Sequence, residues 1–477
     1  MGGENIPHHC GVFGIYNHPQ AARITQLGLF ALQHRGEEAA GICSSDGDEL
    51  HLIKGQGLVG EVFNDGSFDR LPGNHAIGHV RYSTAGSSIL TDTQPYKVEY
   101  SRGQIAIGHN GNLVNAQILR AQLEAYGSIF GSMMDSEIFV HLIAKPAYRS
   151  HEEGIVESVK RVVGAYSLVI LTEEQLYGVR DPHGLRPLCL GKLGDSYVLA
   201  SETCAFDLIE AKFIREVEPG EVVVIDRKGV RSHFPHKGME GMGHQISQCI
   251  FEHVYFARPD SRIFHDNVGL VRERLGHQLA KEHPAKADIV IPVPDSGTFA
   301  ALGFSRESGI PLSFGFIRNH YIGRTFISPT EAGRSIKVKI KLNPIREMVE
   351  GKRVVVVDDS IVRGNTAKNR VKLLRGAGAK EIHMRISCPP HVSPCYYGID
   401  FPSKKELIAA NQSASMIRKF LEVDSLGYLS LEGMLAATTQ PPSHFCTACF
   451  SGKYPTPVFD EQDKLKPENK KVKCRGA

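Results

Sequence analysis

The clearest pattern of hydrophobic and polar positions in the chain is a run of four valines at residues 354–357, which stops at Asp358 and Asp359. An uninterrupted apolar run of this length predicts a strand buried on both faces, as in a parallel sheet. After a short loop, residues 367–377 show the apolar spacing of a helix. The order of strand, loop and helix places the loop at the carboxyl end of a strand, where open α/β sheets bind ligands.

The loop itself carries groups that favour a sugar phosphate. Gly364, Asn365 and Thr366 can present backbone N–H groups and a hydroxyl at the start of a helix, which suits a phosphate. Asp358 and Asp359 can hold ribose hydroxyls or a hydrated Mg²⁺. The alternative is ordinary helix capping, for which Asp and Thr are common residues, but capping rarely needs two adjacent acids.

The amino-terminal half shows a different order of elements. Strands are predicted at residues 10–16, 41–44, 50–54, 75–82, 105–110, 167–171, 176–180, 197–201 and 222–226, and helices at 21–33, 116–126, 136–144 and 155–163. Strands, then helices, then strands again indicate a layered α+β domain in which helices cover the faces of sheets.

Four spots in this half carry polar groups that packing does not require. Cys10 opens the first strand, Arg81 ends a later one, Asn110 and Gly111 end another, and Asp135 begins a helix. Taken singly, each has an ordinary explanation as a core cysteine, a turn or a helix cap.

Together, with the sequence His-Arg-Gly at residues 34–36, these residues resemble the class II glutamine amidotransferases, a family of amino-terminal-nucleophile hydrolases. The resemblance implies a four-layer αββα glutaminase domain at residues 10–230 and a propeptide at 1–9. Removal of the propeptide would free the α-amine of Cys10, whose pKa of about 8 suits a base for its own thiol. The resemblance assigns the glutamine carboxylate to Arg81 and the ammonium group to Asp135, and an oxyanion hole to Asn110 and Gly111.

Two positions depart from that family's pattern, and one motif is a false signal. Glu37 stands where the family usually has Gln, and His9 stands where an acid often precedes the cysteine, which leaves the efficiency of propeptide removal open. Residues 55–60 fit G-x-G-x-x-G, but no βαβ context surrounds them, so dinucleotide binding is not expected.

The carboxyl-terminal half repeats the strand–loop–helix order. Residues 227–243 are predicted to be a linker, residues 268–282 a helix, and residues 289–292 a strand that leads into Asp295, Ser296 and Gly297 and then a helix. A basic segment at residues 318–342 has the composition of a solvated or closing loop. Further helices are predicted at 404–410, 413–421 and 431–437.

These features resemble the type I phosphoribosyltransferases, whose α/β domain with a parallel sheet would cover residues 245–457. The resemblance implies a site for phosphoribosyl pyrophosphate (PRPP), with Mg²⁺ near Ser296, Asp358 and Asp359 and with the basic segment ordering when PRPP binds. The implied PRPP-binding residues are Asp295, Ser296, Gly297, Asp358, Asp359, Ser360, Arg363, Gly364, Asn365 and Thr366.

Four cysteines of this half form a candidate metal centre. Cys446 and Cys449 are a C-x₂-C pair, and with the distant Cys249 and Cys395 they could hold zinc or an iron–sulfur cluster, between which spacing does not choose. Cys388 is a rival for Cys395, and a redox role for the pair lacks its βαβ context. The chain also resembles the Bacillus-like subgroup of glutamine amidotransferases that act on PRPP, and this resemblance implies a [4Fe-4S] cluster with Cys249, Cys395, Cys446 and Cys449 as its ligands.

Composition limits the remaining function classes. The chain has 477 residues, 42% hydrophobic content and a net charge of +3, so nothing calls for a nucleic acid or membrane partner. The start lacks the basic and apolar regions of a signal peptide, which favours a cytoplasmic protein with reduced cysteines. The charged segment 458–477 is expected to be a flexible tail.

Both motif sets in this order resemble the glutamine phosphoribosylpyrophosphate amidotransferase family. The resemblance implies amination of PRPP by glutamine to 5-phospho-β-ribosylamine, at the start of purine synthesis, with ammonia channelled between two sites. It also implies a homotetramer inhibited by purine nucleotides. The alternatives are a nucleotide-binding regulator without catalysis and a sugar-isomerising amidotransferase.

Overall fold

The computed structural model describes residues 10–81, 90–238, 245–319, 342–399, 401 and 403–458. In the amino-terminal half the described strands pair antiparallel in two sheets, ordered β11-β9-β10-β1-β4-β2-β3 and β13-β12-β8-β7-β6-β5. The strands are β1 (Gly11–Tyr16), β2 (Ala39–Ser45), β3 (Leu50–Gln56), β4 (His75–Arg81), β5 (Tyr96–Tyr100), β6 (Gly103–Leu113), β7 (Gly164–Leu171), β8 (Leu176–Arg180), β9 (Cys189–Leu193), β10 (Ser196–Ala200), β11 (Lys212–Glu216), β12 (Val222–Asp226) and β13 (Gly229–His233).

Side chains alternate between two buried faces along β1, because successive residues of a strand point to opposite sides. Val12 and Tyr16 join Val169 and Leu199 in the core between the two sheets. Phe13 and Ile15 instead pack under helices on the outer face, so every residue of β1 is buried.

Helices cover the outer face of each sheet. Helices Ala21–Ala31, Val59–Val62 and Cys204–Leu208 pack on the β1 sheet, and helices Ala116–Ala125, Ser136–Ile143 and His151–Val159 pack on the β6 sheet. The predicted four-layer αββα arrangement is therefore confirmed. The G-x-G-x-x-G segment runs from the end of antiparallel β3 into a four-residue helix, not a βαβ unit.

Two predictions in this half need correction. The helix predicted at 155–163 is His151–Val159, because the Ser150 hydroxyl accepts a hydrogen bond from the Glu153 N–H (3.1 Å) and starts the helix earlier. The predicted linker at 227–243 contains β13, since Gly229 adopts a left-handed conformation (φ 102°) that turns the chain back along β12. The β6 sheet thus continues through His233.

The carboxyl-terminal half is built on a parallel sheet ordered β17-β20-β21-β22, as predicted. The described strands are β14 (Gln248–Cys249), β15 (Arg262–Ile263), β16 (Asp266–Asn267), β17 (Ile289–Pro292), β18 (Phe316–Arg318), β19 (Leu342–Pro344), β20 (Arg353–Asp358), β21 (Glu381–Ile386), β22 (Ser425–Tyr428) and β23 (Phe445–Cys446). The described helices are Val268–Glu282, Thr298–Ser308, Arg346–Val349, Asn365–Gly376, Ile408–Asn411, Ala414–Leu421, Leu431–Ala436 and Ala448–Ser451.

The valine run lies at the centre of this sheet, between β17 and β21, and all four valines are 0% exposed. One predicted helix, 404–410, is shortened to Ile408–Asn411. The Glu406 carboxylate accepts hydrogen bonds from the backbone and hydroxyl of Ser403, which favours a turn before the helix. Among the described residues, no helix is long and apolar enough to cross a membrane.

Candidate active sites

Cys10 lies directly before β1, and Arg81 ends the neighbouring strand β4. The antiparallel register pairs Gly11 with Val80, so Cys10 and Arg81 each adjoin this pair. The Arg35 guanidinium donates a hydrogen bond to the Cys10 carbonyl (3.2 Å), and Gly36 packs so closely on the Arg81 backbone that a Cβ would lie 2.6 Å from it. The His-Arg-Gly segment therefore holds both site residues in place.

Asn110 lies on β6 of the opposite sheet and is 0% exposed. Among the described residues, neither polar atom of its side-chain amide has a hydrogen-bond partner. An amide that is buried without hydrogen-bond partners costs free energy unless a ligand supplies them. Two residues earlier, a Cβ at Gly108 would lie 3.7 Å from Val12, which brings this end of β6 beside the strand that follows Cys10.

Asp135 is joined to the end of β6. Its carboxylate accepts the Leu113 N–H (2.9 Å), and the His109 ring lies 3.3 Å from its other oxygen. Burial works against the charged carboxylate, but His109 and the N–H donors outweigh it, so the pKa of Asp135 is lowered. An ionised carboxylate near Asn110 is suited to binding an ammonium group.

In the carboxyl-terminal half, the turn after β17 packs on the end of β20. A Cβ at Gly297 would lie 2.5 Å from the Val357 carbonyl, so only glycine fits between the two segments. The Ser296 hydroxyl donates to the Asp359 carboxylate, and Asp295 pairs with Arg318. The structure thus joins Ser296 to the acidic pair, as the predicted magnesium site requires.

The two acids at the end of β20 are both buried but have different partners. Asp358 is buried and pairs with Arg370. Burial, reinforced by the neighbouring Asp359 and partly offset by Arg370, raises the pKa of Asp358 to about 7. A cation or a ribose hydroxyl at this position favours the ionised form.

The phosphate loop ends in a left-handed glycine, Gly364 (φ 86°), directly before helix Asn365–Gly376. A Cβ there would lie 2.9 Å from Ile408 and 3.1 Å from Phe420, so both conformation and space require glycine. Arg363 pairs with Glu406 at 3.0 Å, and Ser360 donates to Asp359. Asn365 and Thr366 begin the helix, and the backbone N–H groups at a helix start are suited to binding an anion.

The four predicted cluster cysteines are brought together from three segments. Cys249 and Cys446 are paired in the parallel ladder of β14 and β23, and Cys449 follows in helix Ala448–Ser451. Backbone N–H groups at Val392 and Ser393 bond the Cys449 carbonyl, which tethers the loop that carries Cys395. Among the described residues no three His, Cys, Asp or Glu side chains lie close enough to hold one metal ion.

Burial and one nearby positive charge both act on the pKa values of these thiols. Burial raises the pKa of Cys249 to about 12, and the nearby Arg186 opposes this shift at both Cys249 and Cys395. Cys388, the rival ligand, touches the Pro389 carbonyl, and Asp358 and Asp359 raise the pKa of its buried thiol further, after the larger effect of burial. Cys388 is thus within electrostatic reach of the acidic pair and also of Cys449.

One functional feature escaped the sequence reasoning. A buried ion network joins the two domains, in which Glu252 pairs with both Arg35 (2.7 Å) and Arg186 (2.9 Å). Glu202 pairs with Arg35 and His34 and accepts the Ser261 hydroxyl (2.6 Å). The only signal in the sequence is an acid at position 252 inside a strongly apolar segment.

Some predictions fall outside the described residues. These are the propeptide 1–9, most of the basic segment 318–342, and the tail beyond residue 458.

Comparison with known proteins supports both halves of this arrangement. The family model of the glutamine amidotransferase domain matches residues 79–207, and that of the phosphoribosyl transferase domain matches residues 265–395. The fold and the two sites thus define a two-domain enzyme that combines a glutamine amidotransferase with a phosphoribosyltransferase.

Relatives match over nearly the whole chain. The amidophosphoribosyltransferase of Bacillus subtilis is 46% identical over 98% of this chain and 98% of its own length, and that of Methanocaldococcus jannaschii is 48% identical over 95% and 99%. The solved glutamine PRPP amidotransferase from B. subtilis, complexed with ADP and GMP, superposes with a TM-score of 0.89 at 46% identity, covering 95% of this chain and 98% of that one. The chain belongs to the amidophosphoribosyltransferase family.

Proposed function

We propose that the chain transfers the amide nitrogen of glutamine to PRPP, giving 5-phospho-β-ribosylamine, glutamate and pyrophosphate, in purine biosynthesis. The observation that carries the proposal is the presence of two complete polar sites in one chain. One is the Cys10, Arg81, Asn110 and Asp135 set, and the other is the acidic pair with its two flanking loops.

At the first site, the Cys10 thiolate attacks the amide carbon, and its own α-amine takes the thiol proton once residues 1–9 are removed. The oxyanion is held by the Asn110 side chain and the Gly111 N–H, for which the unpartnered amide of Asn110 is the support. The C–N bond then breaks, the nitrogen leaves as ammonia, and water hydrolyses the glutamyl thioester to glutamate. Arg81 and Asp135 bind the carboxylate and ammonium groups of glutamine.

At the second site, Asp295, Ser296 and Gly297 hold the pyrophosphate, and the loop from Ser360 to Thr366 holds the 5-phosphate. Asp358 and Asp359 position the ribose, and with Ser296 they are the residues that would hold Mg²⁺, which supplies positive charge to the leaving pyrophosphate. Ammonia adds to the ribosyl carbon as the C–O bond to pyrophosphate breaks. Because ammonia is reactive only when neutral, a water-poor route between the sites belongs to the proposal.

The four cysteines Cys249, Cys395, Cys446 and Cys449 would hold a [4Fe-4S] cluster. The support is the donor set itself: four gathered thiols, with the positive charge of Arg186 beside two of them. When bound, the cluster supplies a covalent tie among three segments of the carboxyl-terminal domain. The sequence resemblance and the absence of a disulfide between Cys43, Cys189, Cys204 and Cys388 among the described residues fit a reducing compartment, and we propose that the enzyme is cytoplasmic.

Regulation by purine nucleotides and assembly into a homotetramer complete the proposal. The support for the first is that the B. subtilis relative was solved with ADP and GMP bound. The second is an expectation from the family resemblance, and sedimentation of the purified protein tests it.

The central test is Cys10→Ser. We expect the variant to lose glutamine-dependent formation of phosphoribosylamine and to keep formation from NH₄⁺, because only the first site uses the thiol. Wild-type protein and the variant are assayed side by side with both nitrogen donors. Retained glutamine turnover in the variant rejects the proposed chemistry.

Two composition measurements test the remaining proposals. The amino-terminal residue of the purified protein is expected to be Cys10, and a chain that keeps residues 1–9 while consuming glutamine at full rate contradicts the proposed base.

Iron and sulfide are each expected at about four per chain, with loss of the visible absorbance in Cys446→Ser and its retention in Cys388→Ser.

A further inference from the structure

A turn of the transferase domain lies directly against the predicted oxyanion hole of the glutaminase domain. Gly398 is in a left-handed conformation (φ 97°), and a Cβ there would lie 3.0 Å from the Gly111 carbonyl carbon and oxygen. On its other side, Gly111 meets the Ala165 carbonyl, which would lie 2.0 Å from a Cβ. The Gly111 peptide is therefore enclosed between β7 of its own domain and Gly398 of the other.

Hydrogen bonds fix the same turn on both sides of this contact. The Asn112 amide donates to the Tyr396 carbonyl (2.9 Å), and the buried Arg186 guanidinium donates to the Tyr397 carbonyl (2.8 Å). The ring of Tyr397 is 3% exposed and packs with Ala165 and Leu185 of the glutaminase domain.

We propose that the turn formed by Tyr396, Tyr397 and Gly398 is a positioning element for the glutaminase, which holds the Gly111 N–H at the geometry that the oxyanion requires. In this arrangement Gly398 and Asn112 are positioning residues, because they act on the Gly111 peptide and not on the substrate. An oxyanion hole stabilises the transition state only when its donors are pre-aligned, so a small displacement of Gly111 lowers kcat.

The turn also begins at Cys395, whose thiol accepts the Tyr397 N–H (3.3 Å). The predicted cluster ligand and the brace on Gly111 are thus three residues apart on one short segment. Any movement of Cys395 reaches the glutaminase site through this turn.

This inference rests on the proposed glutaminase chemistry, and Gly398→Ala tests it in the full-length enzyme. We expect kcat for glutamine to fall at least about 10-fold, with KM for glutamine and the NH₄⁺-dependent rate unchanged. Alkylation of Cys10 by iodoacetamide, which needs no oxyanion hole, is expected to proceed at the wild-type rate. The control is Gly309→Ala, which also places an alanine at a positive φ (72°) in the same domain but has no atom within 4 Å of its Cβ.

A second variant covers the case in which Gly398→Ala does not fold. Asn112→Ala removes the hydrogen bond to Tyr396 without backbone strain, and we expect it to lower kcat for glutamine about 3- to 10-fold at constant KM. Its control is Asn115→Ala, which removes two hydrogen bonds within the glutaminase domain, one to the Arg161 carbonyl (3.0 Å) and one from the Val163 N–H (3.0 Å).

The outcomes distinguish the positioning role of the turn from the proposed Cys10 chemistry. Unchanged kcat for glutamine in Asn112→Ala and in folded Gly398→Ala overturns the positioning role while leaving Cys10 chemistry intact. Equal losses with glutamine and NH₄⁺, or equal losses in the control variants, also overturn it, because they indicate a general structural effect. Retained glutamine turnover in Cys10→Ser would overturn the proposed function itself.

Discussion

At the scale of single residues, Asn110 is a buried side chain whose amide keeps its hydrogen-bonding groups available for a ligand. A buried amide without partners costs about 1–3 kcal/mol, and selection for stability alone would replace it. In the proposed function this cost has a purpose, since the Nδ2 amide of Asn110, two residues after β6 passes Val12, would donate a hydrogen bond to the substrate oxyanion.

Asp135→Asn tests the binding of the glutamine ammonium group. The change keeps the size and the hydrogen bond from Leu113 but removes the charge, so KM for glutamine should rise about 10- to 100-fold, the value of a charge-assisted bond. The NH₄⁺-dependent rate should stay at the wild-type level. A KM for glutamine within twofold of the wild-type value, measured by glutamate release, would show that Asp135 does not bind the ammonium group of glutamine.

His253 should make the protein sensitive to acid. Its ring is fully buried, no described group bonds either nitrogen, and burial lowers the pKa of His253 from 6.5 to about 4. The unfolded chain binds a proton that the folded chain excludes between these pH values, so folding stability falls as pH drops from 6.5 to 4, by on the order of 3 kcal/mol.

The variant His253→Phe isolates this contribution, because a phenyl ring occupies similar space next to Phe264 and Phe445. The loss of thermal stability between pH 7 and pH 5 should be smaller in the variant than in the wild type. Equal losses in both proteins would assign the acid sensitivity to other groups.

At the scale of elements, two glycines set the distance between a pair of packed helices. A Cβ at Gly276 would lie 1.9 Å from the Ala300 carbonyl, and one at Gly303 would lie 1.9 Å from the Glu273 carbonyl. The helices Val268–Glu282 and Thr298–Ser308 therefore touch backbone to backbone. The second helix begins directly after Gly297, so this packing also positions the pyrophosphate turn.

Gly276→Ala should push these helices apart. We expect a loss of about 1–3 kcal/mol in stability from overpacking and a raised KM for PRPP, with the glutaminase constants unchanged. Gly376→Ala is the matched control, because no atom lies within 4 Å of its Cβ, and it should be neutral or slightly stabilising. Thermal unfolding and initial rates over a PRPP series measure both effects, and equal KM values in the two variants contradict the prediction.

At the scale of the whole molecule, the domains are joined by buried charges as well as by apolar contacts. Arg35 links the Cys10 carbonyl to Glu252, and Glu252 links onward to Arg186, which bonds the turn at Tyr397. Buried ion pairs of this kind add little net stability over apolar packing, but breaking one leaves a buried charge without its partner.

Glu252→Ala should therefore cost about 3–5 kcal/mol, because Arg35 and Arg186 both lose a buried partner. We expect a large drop in the thermal midpoint and a fall in glutamine use that exceeds the fall in NH₄⁺ use. The control Glu174→Ala breaks an exposed pair with Arg227 and should change stability by less than about 1 kcal/mol. Comparable midpoints for the two variants would exclude a structural role for the network.

Much of the fold was predictable because hydrophobic period and strand length are local properties of a sequence. The central strand β20, the helix Val268–Glu282 and strand β8 were predicted within a residue of their observed bounds. Strand β13 was missed because it is half-exposed and has Val230 as its only aliphatic residue, and it forms through the turn at Gly229.

The sequence by itself determined the two domains, the family, and the residues whose chemistry is visible in short motifs, since strand ends with polar groups mark sites locally. Only the tertiary structure decided how the domains meet. Asn112 and Tyr396 are 284 residues apart in the sequence, and Gly111 and Gly398, which are in contact, have a similar sequence separation. No local pattern predicts such contacts, because they arise when two separately formed cores dock and bring distant turns against each other.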